Sequence, residues 1–270
     1  MKLRIKLARS LVELRYKYNF LENLLFLPIL IMRPDDLVEF GKQNYARPVH
    51  VKIWSETRRI DEGLEEEEKV ILEKLPFKTG RALVLASGGG REAIFLSQIG
   101  YEVTVVDYVP EMVNKAIENA NKLGVKIFGL IQDMSKLDVP EASYDIVWLF
   151  RGMYSSVPTQ KRRLEMLKRI GRALTPEGVF VCQFGWKTSG WGSALYHFFK
   201  KTLAFLILGN FSYQKGDVLW CNTEFMHFYS SEKEIRQEFG KGGFEVDYLH
   251  LPAEGIKAEA MLRITQEDRQ

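Results

Sequence analysis

The stretch RALVLASGGGREAIFLSQIGYEVTVVD, residues 81–107, decides the fold. RALVLA (81–86) is an apolar run too short for a helix and predicts a buried strand. Three glycines, Gly88 to Gly90, make a turn, and AIFLSQIG (93–100) predicts a helix closed by Gly100. YEVTVVD (101–107) predicts a second strand. A strand, a turn, a helix and a strand in this order form a crossover unit whose two strands run parallel.

The alternation continues downstream. PEMVNKAIENANKL (110–123) predicts a helix with Pro110 in its first turn and Gly124 at its end. VKIFGLI (125–131), YDIVWLF (144–150) and GVFVCQF (178–184) predict strands, with TQKRRLEMLKRIGRAL (159–174) as a helix between the last two. Strands alternating with helices imply an α/β, doubly wound, mostly parallel sheet whose ligands sit at the strand carboxyl ends. Upstream, LEEEEKVILEKL (64–75) predicts a helix with an acidic first turn. Leu7, Leu11, Leu14, Tyr18, Leu21 and Leu25 recur at spacings of four and three, predicting an amphipathic helix over 3–27 that Pro28 ends or bends. A short helix is expected around 35–42, and a loop near a site over NYARPVHVKIWSETRR (44–59).

Composition bounds the function. The chain has 270 residues, 46% apolar and 27% charged, as in ordinary globular proteins, and a net charge of +3 gives no case for nucleic acid. Residues 1–32 carry six basic and two acidic side chains, so the rest is close to neutral. Cys182 and Cys221 lie far apart, with no metal-type spacing, which fits a reducing cytoplasm. No secretory signal is expected, and Phe20 to Met32 is shorter than the ~20 residues that span a bilayer.

The functional residues are sought after each strand. Ala86, Ser87, Gly88 and Gly90 form a loop whose amides can approach a ligand at a helix N-terminus. Gly88-x-Gly90-x-x-Ala93 also satisfies the dinucleotide fingerprint, and a tight turn with no ligand is the plain alternative. A valine at position 90 is expected to remove ligand binding with smaller damage to the fold. Asp107, 19 residues after Gly88, suits either two ribose hydroxyls or the cap of the next helix. At this point NAD and S-adenosylmethionine (SAM) both remain open.

The third place separates them. IQDMSKLDVPEASYDIVWLF (131–150) resembles the class I SAM-dependent methyltransferases, with Gln132 and Asp133 after strand three and Tyr-Asp-Ile-Val leading into strand four. ALTPEGVFVCQF (173–184) is similar to the family's turn into strand five, and HFYSSEKEIRQEFGKGGFEV (227–246) to its helix, Gly-Phe, strand six ending. AEAMLRI (258–264) would be the antiparallel seventh strand. The resemblance implies a seven-stranded sheet and SAM as cofactor. It implies contacts from Ala86, Ser87, Gly88 and Gly90, from Asp107, Tyr108 and Met112, from Gln132, Asp133 and Met134, and from Phe150 and Arg151. The chain departs from the family at Ala86, where an acidic residue is usual, and at Glu92, where a third glycine stands. After strand four it also lacks the Asn/Asp-Pro-Pro-Tyr/Phe motif of amino methyltransferases.

Methyl transfer needs little side-chain catalysis unless the acceptor must lose a proton. His50, His197, His227 and His250 are scattered, and Tyr45, Tyr154 and His227 are the candidate catalytic groups. Residues 1–60 are expected to form an N-terminal helical segment or lid, and 61–270 the SAM-binding domain with a cap insertion at 185–222. The aromatic residues of the insertion suggest a small apolar or aromatic acceptor. With the basic N-terminal helix they also allow peripheral contact with anionic membrane. An NAD-dependent oxidoreductase and a non-catalytic SAM-binding protein are the alternatives.

Overall fold

Five parallel strands form the centre of the molecule: β1 (Gly80–Leu85), β2 (Tyr101–Asp107), β3 (Ile127–Ile131), β4 (Tyr144–Leu149) and β5 (Leu174–Trp186), in the order β3-β2-β1-β4-β5. The computed structural model describes residues 3–17, 26–56, 60–190 and 192–265. β9 (Lys257–Ile264) runs antiparallel beside β5, and β8 (Phe244–His250) antiparallel beside β9. Strand order reverses between β1 and β4, which opens a crevice at their carboxyl ends.

The sheet has nine strands among the described residues rather than seven. β6 (Asp217–Trp220) and β7 (Glu224–Tyr229) form an antiparallel hairpin that the sequence reading missed. β5 runs past its last β4 partner, Cys182 opposite Leu149, to Trp186. Gly185 pairs with Lys257 of β9 on one edge, so its pairing with Phe228 of β7 lies on the β4 edge. The overrunning end of β5 presents unpaired backbone there, and β7 satisfies it. The hairpin therefore sits over the carboxyl end of β4.

Successive side chains of the strands alternate between two cores. Leu83, Leu85, Val147 and Leu149 pack with Met166, Leu167 and Ile170 of α8 (Gln160–Ala173) and Ile235 and Phe239 of α10 (Glu232–Lys241). Ala82, Val84, Ile146 and Trp148 pack with Ile94 of α6 (Arg91–Gln98), Val113 of α7 (Pro110–Lys122) and Ile71 of α5 (Glu66–Lys74).

A third core joins the N-terminal segment to the insertion. Ile5, Ala8, Leu30, Leu37 and Phe40 pack with Ala204, Tyr213 and Phe225. They come from α1 (Leu3–Lys17), α2 (Leu27–Ile31), α3 (Pro34–Tyr45), α9 (Ala194–Leu206), the loop after α9 and the hairpin. The packed face of α1 is not the expected one: Ile5 and Ala8 are fully buried, whereas Leu7 and Leu14 are exposed. The small Ala8 side chain admits a close approach that a leucine would prevent. Tyr18, Leu21 and Leu25 lie outside the described residues. Pro28 stands in the first turn of α2, and residues 48–55, expected as loop, form α4 (Pro48–Ser55) with its own proline in the first turn.

Candidate functional site

The loop after β1 turns through left-handed backbone at Ala86, Gly88 and Gly90. Asp107 holds it from the next strand: Gly88 N donates to its Oδ2 at 3.1 Å, and Val109 N donates to Oδ1 at 2.9 Å. A carboxylate has about four acceptor sites, so capacity remains for further donors. Burial pushes the Asp107 carboxyl up to about 6, against the pull of these amides. Additional hydroxyl donors would favour its charged form.

The N-terminal segment closes on this loop from outside. Gly89 N donates to the Trp54 carbonyl of α4 at 3.1 Å, and Asn119 Nδ2 bridges the Gly89 and Ser55 carbonyls at 3.0 and 3.3 Å. A Cβ on Gly89 would lie 2.5 Å from the Trp54 oxygen, so glycine is required there. A Cβ on Gly90 would lie 2.9 Å from that of Ala116, which makes position 90 a packing contact behind the loop. Gly88 faces open space apart from ordinary contact with Trp54.

A cleft of about 420 Å³ lies over the loop. Of the residues expected around the cofactor, Ala86, Ser87, Gly88, Asp107, Tyr108, Met112, Phe150 and Arg151 line it. Gln132, Asp133 and Met134 line a smaller adjoining recess of about 50 Å³ that shares Ala86, Asp107 and Tyr108. Gly90 lines neither. Gln132 is already engaged, donating to the Asp138 carbonyl and accepting from its amide, both at 2.9 Å. Asp133 uses Oδ1 to cap Ser135. Both bonds fall on Oδ1, so Asp133 is a better remaining acceptor than Gln132, whose amide oxygen already takes the Asp138 amide. Arg151 is in the left-handed region, pairs with Glu65 and sits over the Trp54 ring at 5.0 Å.

Two polar atoms of the cleft are unsatisfied. Ser87 Oγ and Trp148 Nε1 are buried without a hydrogen-bond partner among the described residues, and Trp148 stacks on Phe150 at 4.7 Å. Glu92, where a glycine is usual, also lines the cleft and shares Arg91 with Glu68, each pairing at 2.6 Å. Two carboxylates on one guanidinium leave an excess of negative charge, and burial together with Glu92 pushes Glu68 up to about 7.

The three candidate catalytic groups separate. Tyr45 lines the cleft and donates to Glu224 Oε1 at 2.6 Å; burial and the Glu224 charge raise its pKa, so it stays protonated. His227 is corrected: it lies buried in β7 outside the cleft, bonded to Asp217 at 2.7 Å. Burial disfavours its charged form, but Asp217 and Glu234 outweigh this and raise its pKa. Tyr154 is corrected likewise: it is fully buried and donates to Glu238 at 2.7 Å, in a cluster with Arg163 and Tyr229. Glu224, half-buried and lining both cavities, was missed. Burial raises its carboxyl to about 7. The hairpin that carries it had no sequence signal strong enough to place it at the strand ends.

Residues 82–178 match the family described as a methyltransferase domain. A Bacillus subtilis (strain 168) protein named as a candidate methyltransferase, YqeM, is 33% identical over 113 residues, 42% of this chain. The match spans 45% of that relative's length. Among solved structures, a Burkholderia thailandensis 1,6-didemethyltoxoflavin-N1-methyltransferase with bound 1,6-didemethyltoxoflavin and S-adenosylhomocysteine superposes with a TM-score of 0.62. It is 17% identical, over 87% of this chain and 92% of that one. A SAM-dependent methyltransferase of Methanosarcina mazei gives 0.56 at 19% identity, over 76% and 100%. At such identities the likeness is one of fold.

Proposed function

We propose that this chain, whose α/β domain belongs to the class I SAM-dependent methyltransferases, moves a methyl group from SAM to an O, N or S atom of a small apolar or aromatic acceptor. One observation carries the reading: Ser87 Oγ and Trp148 Nε1, buried and without partners among the described residues, meet in one cleft with the under-used Asp107 carboxylate. Buried polar groups normally find partners, and a polar ligand would supply them. Asp107 would accept the ribose hydroxyls and Asp133 the adenine amino group. The Ala86–Gly88 loop would carry the amino-acid end, with Glu92 replacing the charge that Ala86 lacks.

SAM, when bound, supplies a methyl group already activated by its sulfonium. The chain's own task is then alignment, exclusion of water and, for a protonated acceptor, removal of one proton. Glu224 suits that last role, because its carboxyl titrates near neutrality and Tyr45 orients it. Trp54, Phe150, Met153, Trp220 and Met226 give the cleft apolar walls, which favours an apolar or aromatic acceptor. Calorimetry with SAM and with NADH tests the cofactor, and mass spectrometry of methylated products across phenols, amines and thiols tests the transfer. SAM binding with product formation is the expected result. NADH binding without SAM binding overturns the proposal, and SAM binding with no product from any class leaves a binding protein.

A further inference from the structure

Surface helices normally turn their apolar stripe inward. α9 does the reverse. At 100° per residue, Leu195, Phe198, Phe199, Phe205 and Leu206 fall in one arc, and Ala204 lies opposite. Ala204 is the buried residue of the helix, whereas Leu195, Phe198, Phe205 and Leu206 are 76%, 68%, 67% and 70% exposed. The apolar face continues beyond the helix into Leu208 and Phe211, which are also exposed.

The charge around this face has one sign. Residues 192–211 contain no Asp or Glu; Lys201 borders the outward face, while Lys200 lies on the inward side over the Tyr196 ring at 4.2 Å. Arg4 and Arg33 both donate to the Leu208 carbonyl, at 3.2 and 3.1 Å. This brings the first turn of α1, with exposed Leu3, Lys6 and Leu7, to the end of α9. Aromatic and aliphatic side chains flanked by lysine and arginine complement an anionic lipid interface: rings enter the acyl boundary while the cations meet headgroups. α9 is about 20 Å long, short of the ~30 Å hydrocarbon core. No helix among the described residues is long and apolar enough to cross a membrane.

We propose that the outward face of α9, with the first turn of α1, docks the protein peripherally on an anionic membrane surface. The proposal stands apart from the methyl-transfer reading, since none of the docking residues lines the cleft. Flotation of the full chain with phosphatidylcholine vesicles, with and without phosphatidylglycerol, tests it. The protein is expected to float only with phosphatidylglycerol, and added salt should release it. F198S/F205S/L206S is expected to lose flotation while keeping its melting temperature and SAM affinity. Each of R4E and K201E changes the charge by two units and should lower partitioning about thirtyfold. The proposal fails if wild type stays unbound on both vesicles, or if the triple variant floats as well as wild type. It fails equally if light scattering shows a wild-type dimer that the triple variant dissociates and no vesicle binding, because a second copy then covers the face. Should the triple variant not fold, undiminished flotation of R4E/K201E refutes it alone.

Discussion

In the proposed function Glu224 serves the acceptor and Asp107 the cofactor, and each assignment carries a test. If Glu224 takes the acceptor's proton, its charged form is the active one. Turnover should then rise as pH increases through about 7 and level off above. E224Q should remove that inflection and lower turnover by about 10²–10⁴-fold. A wild-type pH–rate profile that is flat through neutrality excludes the role. D107N keeps the size of the side chain but trades an acceptor oxygen for a donor. It should weaken SAM binding by about 1.5–3 kcal/mol, read by calorimetry on folded protein. At the glycines, the structure reverses the expectation for position 90. G90V drives a side chain into Ala116 and should chiefly lower stability. G88A meets no such neighbour, although its positive φ costs about 1 kcal/mol, and it should chiefly weaken SAM binding, which paired thermal melts and titrations distinguish.

The elements that carry the hairpin are tied by one buried ion pair. Arg163 of α8 meets both oxygens of Glu238 in α10, at 2.7 and 3.0 Å, while Tyr154 and Tyr229 donate to the same carboxylate. E238Q leaves the guanidinium buried without its counter-charge and should cost about 3–5 kcal/mol in urea denaturation, whereas a loss below about 1 kcal/mol would show that water relieves it. This cluster also explains a limit of sequence reading. β1 to β4 and α6 to α8 were legible because periodicity and terminal Gly or Pro signals agree over each segment. β7 was not: EFMHFY is six residues of mixed pattern, and its place depends on the overrun of β5, a long-range pairing. Tyr154 and His227 have the chemistry of catalytic residues, but only the fold shows their charges and hydroxyls spent on Glu238 and Asp217. Asp107 and the glycine loop could be found because one short crossover places them.

At the scale of the whole molecule, the cleft carboxyls influence stability as well as activity. Asp107 is raised from 3.8 to about 6 and Glu224 from 4.5 to about 7, so the folded chain holds protons that the unfolded chain has released. Their contribution is fully present below about pH 4 and is lost as pH rises through about 6 to 7. E224Q should flatten part of this decline in a series of urea melts, and an unchanged pH dependence would show that Glu224 is not perturbed. The hairpin has a further consequence. The chain leaves β5 at Trp186 and returns opposite Gly185 and Trp186, so everything between is spliced in at a single address. Such a cassette can be lengthened, shortened or exchanged without re-registering any central strand. Glu224 and Trp220 lie within the cassette and Asp107 outside it, so in the proposed function the acceptor wall and the cofactor grip sit on separate segments of the chain.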